Sequence, residues 1–167
     1  MISINQILTA NDVKAAGQLV RALTTWAIAL DPEAAADAPT FDGLEAELAS
    51  LPGKYAPPLG CFFIARDDDA PVGCVAYLPQ GDNVVEPKRM YVDPAQRRKG
   101  VGLMMVNALI DKAKQQKARR IILDSYYTMY SAHKIYRAVG FVYVAAPENF
   151  PEDLVQKVVF MEMNLAK

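Results

Sequence analysis

The sequence predicts a mixed α/β domain, a sheet with helices on its faces. Three observations carry this. Apolar residues recur at steps of three and four, as in Val13, Ala16, Val20, Leu23, Ala27 and Leu30. Short apolar runs bounded by turn residues separate such segments. The resulting order, β-α-α-β-β-β-α-β-α-β-β, is that of a mixed sheet. At 167 residues the chain forms one domain spanning 1–167.

The elements follow in order. Ile2 to Leu8 alternates loosely and reads as a strand. Thr9 and Asp12 form a capping box, with Asp in place of Glu, at the head of a helix that stops before Asp31-Pro32. A shorter helix runs from about Asp42 to Leu51. Cys61 to Arg66 and Val72 to Leu78 are strands joined at Asp67, Asp68 and Asp69. Val84 to Val92 is a further strand, which Pro87 interrupts and marks as an edge, a bulge or a splay. Gly100 to about Ala118 is a helix with Val101, Met104, Met105, Ala108 and Leu109 inward. Arg120 to Asp124 is a strand, Met129 to Val139 a helix ended by Gly140, and Phe141 to Val144 and Lys157 to Leu165 are strands.

Lys and Arg number 18 against 19 Asp and Glu, for a net charge of −1. That balance argues against nucleic acid and against a polybasic membrane surface as partners. No apolar run approaches the roughly 20 residues of a membrane span, and no signal-peptide pattern opens the chain. One His and two Cys make no zinc constellation, so no metal is expected. Cys61 and Cys74 are not opposite each other in the predicted hairpin, and a reducing, cytoplasmic setting is the simpler expectation.

The strongest local signal runs from Asp93 to Gly102 and joins a strand to a helix. Arg97, Arg98 and Lys99 are consecutive cations just before a helix N-terminus, the wrong sign for the helix dipole. Alone they cost a few tenths of a kcal/mol each. A bound anion reverses that sign, because first-turn N–H groups, dipole and cations then converge on it. Gly100 and Gly102 let the backbone approach closely. The Walker pattern is absent, and Met105 stands where the dinucleotide fingerprint needs its third Gly. A solvated basic turn is the competing interpretation.

These residues resemble a known family. Arg97-x-x-Gly100-x-Gly102, after a strand ending Arg89-Met90-Tyr91-Val92, is similar to the acyl-CoA pyrophosphate loop of the GNAT N-acetyltransferase superfamily. Leu123-Asp124-Ser125, then Met129, Ala132, Ile135 and Tyr136, then Gly140-Phe141, resembles its later helix and "LY…GF" ending. Glu86-x-Lys88-Arg89-x-Tyr91-Val92 resembles one branch. Together the motifs span Glu86 to Phe141, and the element order extends the match over nearly the whole chain. The chain departs from the pattern at Met129, where many members have an Asn holding the pantetheine arm, at Ser125 in place of Thr, and at Pro87.

The resemblance implies a three-layer α/β/α fold with a mostly antiparallel, splayed central sheet. It implies direct acetyl transfer from acetyl-CoA, as co-substrate, to the primary amine of a small molecule or protein. Met90, Tyr91, Val92, Arg97, Arg98, Lys99, Gly100, Val101 and Gly102 would bind the coenzyme, with a strand N–H near Met90–Val92 on the thioester carbonyl. Tyr136 is the candidate general acid: its phenol is protonated at neutral pH and can donate to the leaving sulfur. Glu86 is the candidate base, and a surface pair with Lys88 or Arg89 is the competing role. On a regular strand Glu86, Lys88, Met90 and Val92 share one side. His133 lies off the Met129–Ala132–Tyr136 face and is expected to be solvated. The acceptor is expected on the side lined by Trp26 to Leu51 and by Pro147 to Glu152, with Asn149 and Phe150 in its loop; Asp31, Glu33, Asp37 and Asp42 could attract a cationic acceptor, and a solvated loop is the favoured reading of them. A homodimer is compatible with these features. The alternative function is a CoA-binding sensor or interaction domain without turnover.

Overall fold

The computed structural model describes residues 1–33 and 43–166. Asp37 and Asp42 therefore lie outside the described residues. The elements are β1 (Ile2–Gln6), α1 (Ala10–Leu30), α2 (Leu44–Ser50), β2 (Cys61–Asp67), β3 (Ala70–Gly81), β4 (Val84–Val92), α3 (Val101–Gln115), β5 (Arg120–Tyr126), α4 (Tyr130–Ala138), β6 (Val142–Val144), α5 (Glu152–Val155) and β7 (Val158–Asn164). A single turn of 3₁₀ helix precedes β2 at Gly53–Tyr55, and another precedes α3 at Pro94–Gln96.

The strands form one seven-stranded sheet in the order β1-β2-β3-β4-β5-β7-β6. Every neighbouring pair is antiparallel except β4 and β5, which are parallel. Two cores result, one on each face. Ala16, Leu19, Val20 and Leu23 of α1 pack on Phe62, Ile64, Cys74, Ala76 and Tyr91. Met105, Val106 and Leu109 of α3, with Tyr136 of α4, pack on Phe63, Val75, Val85, Ile121 and Leu123. Cys61 belongs to the second core and Cys74 to the first. They stand on opposite faces, with Tyr77 opposite Cys61 and Ile64 opposite Cys74.

Local chemistry fixes the ends of α1. The Thr9 hydroxyl accepts from the Asp12 N–H at 3.2 Å, and Asp12 accepts from the Thr9 N–H at 3.0 Å. Arg66 of β2 donates to the same carboxylate at 2.7 Å, so α1 is tied to the sheet at its first turn. In α3 the inward stripe is Val101, Gly102, Met105, Val106, Leu109, Ile110 and Ala113. Met104, expected inward, is exposed, because the stripe is centred one position further round the helix.

The site is made by β4. It pairs with β5 only at Val84–Arg120 and Val85–Ile121, and beyond Val85 the two strands separate. Pro87, expected to mark an edge, a bulge or a splay, lies where β4 has left β5, and on the β3 side it stays in register opposite Tyr77. The bulge comes later: Ala76 opposes Lys88 and Cys74 opposes Tyr91, so Arg89 and Met90 together face the single residue Val75. Arg89 takes φ of +58°, a left-handed conformation that a non-glycine residue rarely adopts. The bulge reverses the alternation. Glu86 and Lys88 share the α1 face with their partners Leu78 and Ala76, whereas Met90 and Val92 join the α3 face. The single face expected for all four is thus split in two. Among the described residues no helix is long and apolar enough to cross a membrane.

Candidate active site

The gap between β4 and β5 is a cleft of about 1620 Å³ running through the sheet, open to both helix layers. That exceeds the roughly 300–1,000 Å³ of a site for one small ligand. Residues from Lys88 to Val92 form one wall, Leu123 to Tyr126 the other, and α4 with the start of α3 closes the back.

At the α3 end, Gly100 is the N-cap, with φ of +80° and no side chain to cap the helix. The N–H groups of its first turn therefore face outward without a side-chain partner. Arg98 also takes a positive φ, +65°, so the backbone turns tightly beneath the helix end. Arg97 lies 4.4 Å over the Trp26 ring of α1 and donates to the Val92 carbonyl at 3.3 Å. Lys99 donates to the Gln96 amide oxygen at 2.8 Å. Among the described residues none of these three cations has a carboxylate partner. An uncapped helix N-terminus with unneutralised cations suits a multiply charged anion such as a pyrophosphate. Trp26, expected on the acceptor side, meets the basic turn instead and holds Arg97 in place.

Gly100 and Gly102 serve different ends. Nothing lies within 4 Å of a Cβ built on Gly100, so its requirement is the left-handed backbone. A Cβ on Gly102 would lie 2.7 Å from Ile135 Cδ1 and 3.4 Å from Met90 Cε. Gly102 thus lets α3 pack against α4 and β4, a different reason from the ligand approach expected of it.

Tyr136 is 6% exposed and stacks at a tilt on Phe141, with centroids 5.3 Å apart. Burial raises its phenol pKa well above the ordinary value, so the phenol is a proton donor at neutral pH and no base. No described residue bonds its hydroxyl, which is not sealed off and opens on the cleft. Thr128 Oγ1, also in the cleft wall, is buried without a hydrogen-bond partner. It stands beside Met129, where the family pattern places its amide.

Glu86 is not brought to the cleft. Its carboxylate pairs with Lys88 and accepts from the Gln80 amide. Lys88 does line the cleft and reaches Asp124 of the opposite wall at 3.2 Å. Burial works against the Lys88 ammonium, but Asp124 and Glu86 outweigh it and hold its pKa above the ordinary value.

On the α1 side Arg89, part of the branch motif, meets three residues that no motif marked, Glu47, Lys54 and Tyr55. Arg89, 8% exposed, clamps Glu47 of α2 through Nε at 2.7 Å and its terminal nitrogen at 2.9 Å. Lys54 pairs with the same carboxylate at 2.7 Å, and the Tyr55 hydroxyl donates to it at 3.1 Å. Burial works to raise the Glu47 pKa, and the two cations outweigh it, bringing it down to about 2. The expected acceptor loop does reach the site: Phe150, Pro151 and Leu154 line the cleft, as does Asp31.

His133 differs from its expectation. It is 5% exposed rather than solvated, with Nε2 3.0 Å from the Ser125 hydroxyl. Among the described residues no group of His, Cys, Asp and Glu could hold a metal ion.

Against known proteins, the family model described as "Acetyltransferase (GNAT) family" matches residues 20–141. An uncharacterized N-acetyltransferase of Schizosaccharomyces pombe is 32% identical over 77% of this chain and 78% of its own length. Human N-acetylaspartate synthetase is 30% identical over 64% of this chain, and the match spans only 36% of that protein. A Staphylococcus aureus GNAT acetyltransferase structure aligns with a TM-score of 0.73 at 20% identity, covering 99% of both chains. The PaiA N-acetyltransferase of Thermoplasma acidophilum, in complex with coenzyme A, aligns at 0.75 with 16% identity, covering 98% of this chain and 99% of that one.

Two tests arise from this geometry. Gly102→Val should destabilise the fold by about 1–3 kcal/mol through displacement of Ile135, read by urea denaturation. Gly100→Ala should cost only the backbone strain, about 1–2 kcal/mol. Equal stability of Gly102→Val and wild type would refute the packing role. The second test concerns acid. Glu47 has a depressed folded-state pKa, so its stabilisation is complete above about 4.5 and lost as pH falls toward about 2. Glu47→Gln should therefore be less stable than wild type at pH 7, with a difference that narrows across that window. A gap that stays constant with pH would show that the clamp does not depend on the charge.

Proposed function

The chain belongs to the acetyltransferase (GNAT) family, and from that membership we propose which of its residues carry an acetyl-CoA-dependent N-acetyl transfer, and to what. The observation that carries the proposal is one cleft with an uncapped, cation-flanked helix N-terminus at one end and the hydroxyl of a buried tyrosine opening into it. Arg97, Arg98, Lys99 and the first-turn N–H groups of α3 hold the pyrophosphate of the coenzyme. The acyl arm lies along β4 past Met90, where the Thr128 hydroxyl supplies a hydrogen bond in place of the amide absent at Met129.

From Glu86 to Val92 the β5 side of β4 has no strand partner, which leaves backbone donors for the thioester carbonyl. One such donor stabilises the developing oxyanion by about 3 kcal/mol. The acceptor nitrogen attacks the carbonyl carbon, the C–N bond forms, the C–S bond breaks, and Tyr136 gives its proton to the leaving sulfur. The acceptor enters on the α1 face, where Lys54, Lys88 and Arg89 line the wall together with Asp31, Glu47 and Asp124. Mixed charge of this kind matches a zwitterion, so the acceptor class is an amino acid or a similar small amine bearing a carboxylate. The relationship to a protein named N-acetylaspartate synthetase supports that class. Glu86 acts at one remove, by holding the Lys88 ammonium on the wall.

Tyr136→Phe removes only the hydroxyl. Thiol release from acetyl-CoA with an amino-acid panel should slow by about 10²-fold or more, while acetyl-CoA affinity by calorimetry stays unchanged. A rate within about twofold of wild type, with chemistry limiting, would make Tyr136 a packing residue. Glu86→Gln should leave the pH–rate profile parallel to wild type, with any loss in KM rather than kcat. A loss of kcat concentrated at low pH would restore Glu86 as the base.

A further inference from the structure

The transfer leaves one proton unaccounted for: the acceptor nitrogen must lose it, and Glu86 stands outside the cleft. We propose that Ser125 and His133 form the relay that takes it, with Ser125 Oγ meeting the acceptor nitrogen and His133 Nε2 receiving the serine proton. This rests on the transferase function proposed above.

The geometry is that of a hydroxyl coupled to a base. Ser125 Oγ lies in the cleft wall, 3.0 Å from His133 Nε2. Burial lowers the ring's pKa, and the backbone of Tyr126 acts in the opposite sense. In the tautomer the relay uses, Nε2 carries the lone pair and accepts from the Ser125 hydroxyl. Hydroxyl and base then stand in the order that activates a hydroxyl elsewhere in catalysis.

Position supports the role. Ser125 follows Ile121 and Leu123 at alternate positions on β5, on the face toward α4. His133 and Tyr136 stand three apart on α4 and are its two buried side chains. One helix face therefore presents the proton donor for sulfur and the proton acceptor for nitrogen. Burial acts on the two in opposite senses, raising the phenol and lowering the imidazole. Near neutral pH one group holds a proton to give while the other has a free lone pair.

The surroundings of His133 are uncharged on the sheet side. Tyr143 of β6 meets its ring edge-on, with centroids 6.3 Å apart. Ser125 and Tyr126 come from β5, and Val159 of β7 lies opposite Ser125. Asp124 is engaged with Lys88. Arg137 of α4 lies over the Tyr143 ring at 6.0 Å, and Lys134 is exposed.

The protons balance. The amine proton passes to Ser125 Oγ as the serine proton passes to Nε2, leaving imidazolium. Tyr136 has meanwhile protonated the leaving thiolate to the thiol and become tyrosinate. Transfer from imidazolium to tyrosinate through solvent restores both, and Ser125 is never acylated.

The test uses the whole chain, acetyl-CoA, and the fastest acceptor among the twenty amino acids and phenethylamine. Ser125→Ala, Ser125→Thr, His133→Gln and the Ser125→Ala/His133→Gln double variant are compared with wild type from pH 5 to 9. Ser125→Ala and His133→Gln should each lower kcat by about 10²-fold at neutral pH and above. Acetyl-CoA affinity should hold, and the double variant should be no slower than either single one. Ser125→Thr, which keeps the hydroxyl, should retain most of the rate. Dividing the wild-type profile by the Ser125→Ala profile cancels the acceptor's own titration. That ratio should fall toward one as pH drops and His133 becomes protonated. A ratio constant with pH would reduce the pair to packing, and Ser125→Ala at wild-type rate would remove it altogether. An acetyl adduct on Ser125 by mass spectrometry would overturn the relay in favour of covalent transfer. Wild type that releases no thiol with any amine would refute the transferase function itself, and the relay with it.

Discussion

Strand β4 loses its parallel partner after Val85, and the chemistry depends on that parting. A strand inside a sheet has its N–H and C=O groups occupied and its side chains committed to one core or the other. From Glu86 onward β4 is bound on one side only. Its free edge becomes a row of backbone donors, and the space beside it becomes a passage between the two helix layers. The cores keep the strands from closing again: α1 packs on one face and α3 with α4 on the other.

The bulge at Arg89 and Met90 then sorts the side chains. It turns Met90 and Val92 toward α3, where they meet Gly102, and leaves Lys88 and Arg89 toward α1 and α2. The left-handed backbone at Arg89 is of a kind that costs about 1–3 kcal/mol. It is held by what surrounds it: the Glu47 clamp on the side chain, and the Cys74 thiol, which donates to the Arg89 carbonyl at 3.2 Å. The same deformation gives the cleft two differently lined faces.

Features set by neighbouring residues were legible in the sequence. The Thr9–Asp12 capping box, the stop before Pro32, the basic turn into α3 and the Gly140 terminator are all local, and each stands where it was expected. Features set across the fold were not. Pro87 announces an irregularity in β4, but not that the bulge falls two residues later, where Arg89 is held by an ion pair to α2, 42 residues away in sequence. Glu47 is an ordinary acidic residue in a short helix until Arg89 and Lys54 arrive. His133 is buried although it lies off the stripe through Met129, Ala132 and Tyr136 that the sequence marks as inner. That helix lies against β5 and β6 at once, and it buries the His133 side as well.

The charges of the cleft divide by purpose. On the α1 side of the wall the cations are paired with acids: Arg89 and Lys54 share Glu47, and Lys88 sits between Glu86 and Asp124. Paired charges of this kind carry little net field and shape a wall that recognises a ligand by the placement of its own charges. At the head of α3 the cations have no acids among the described residues, and the helix dipole adds to them. An unpaired cluster attracts any multiply charged anion and discriminates little among them. In the function proposed, the donor is bound there through a phosphate group common to many molecules, so field strength is enough. The acceptor proposed for the other end must be distinguished from other amines, and that calls for opposed charges at fixed positions. On that assignment the two ends of one cleft follow opposite electrostatic rules, because one has only to hold its ligand and the other has to choose it.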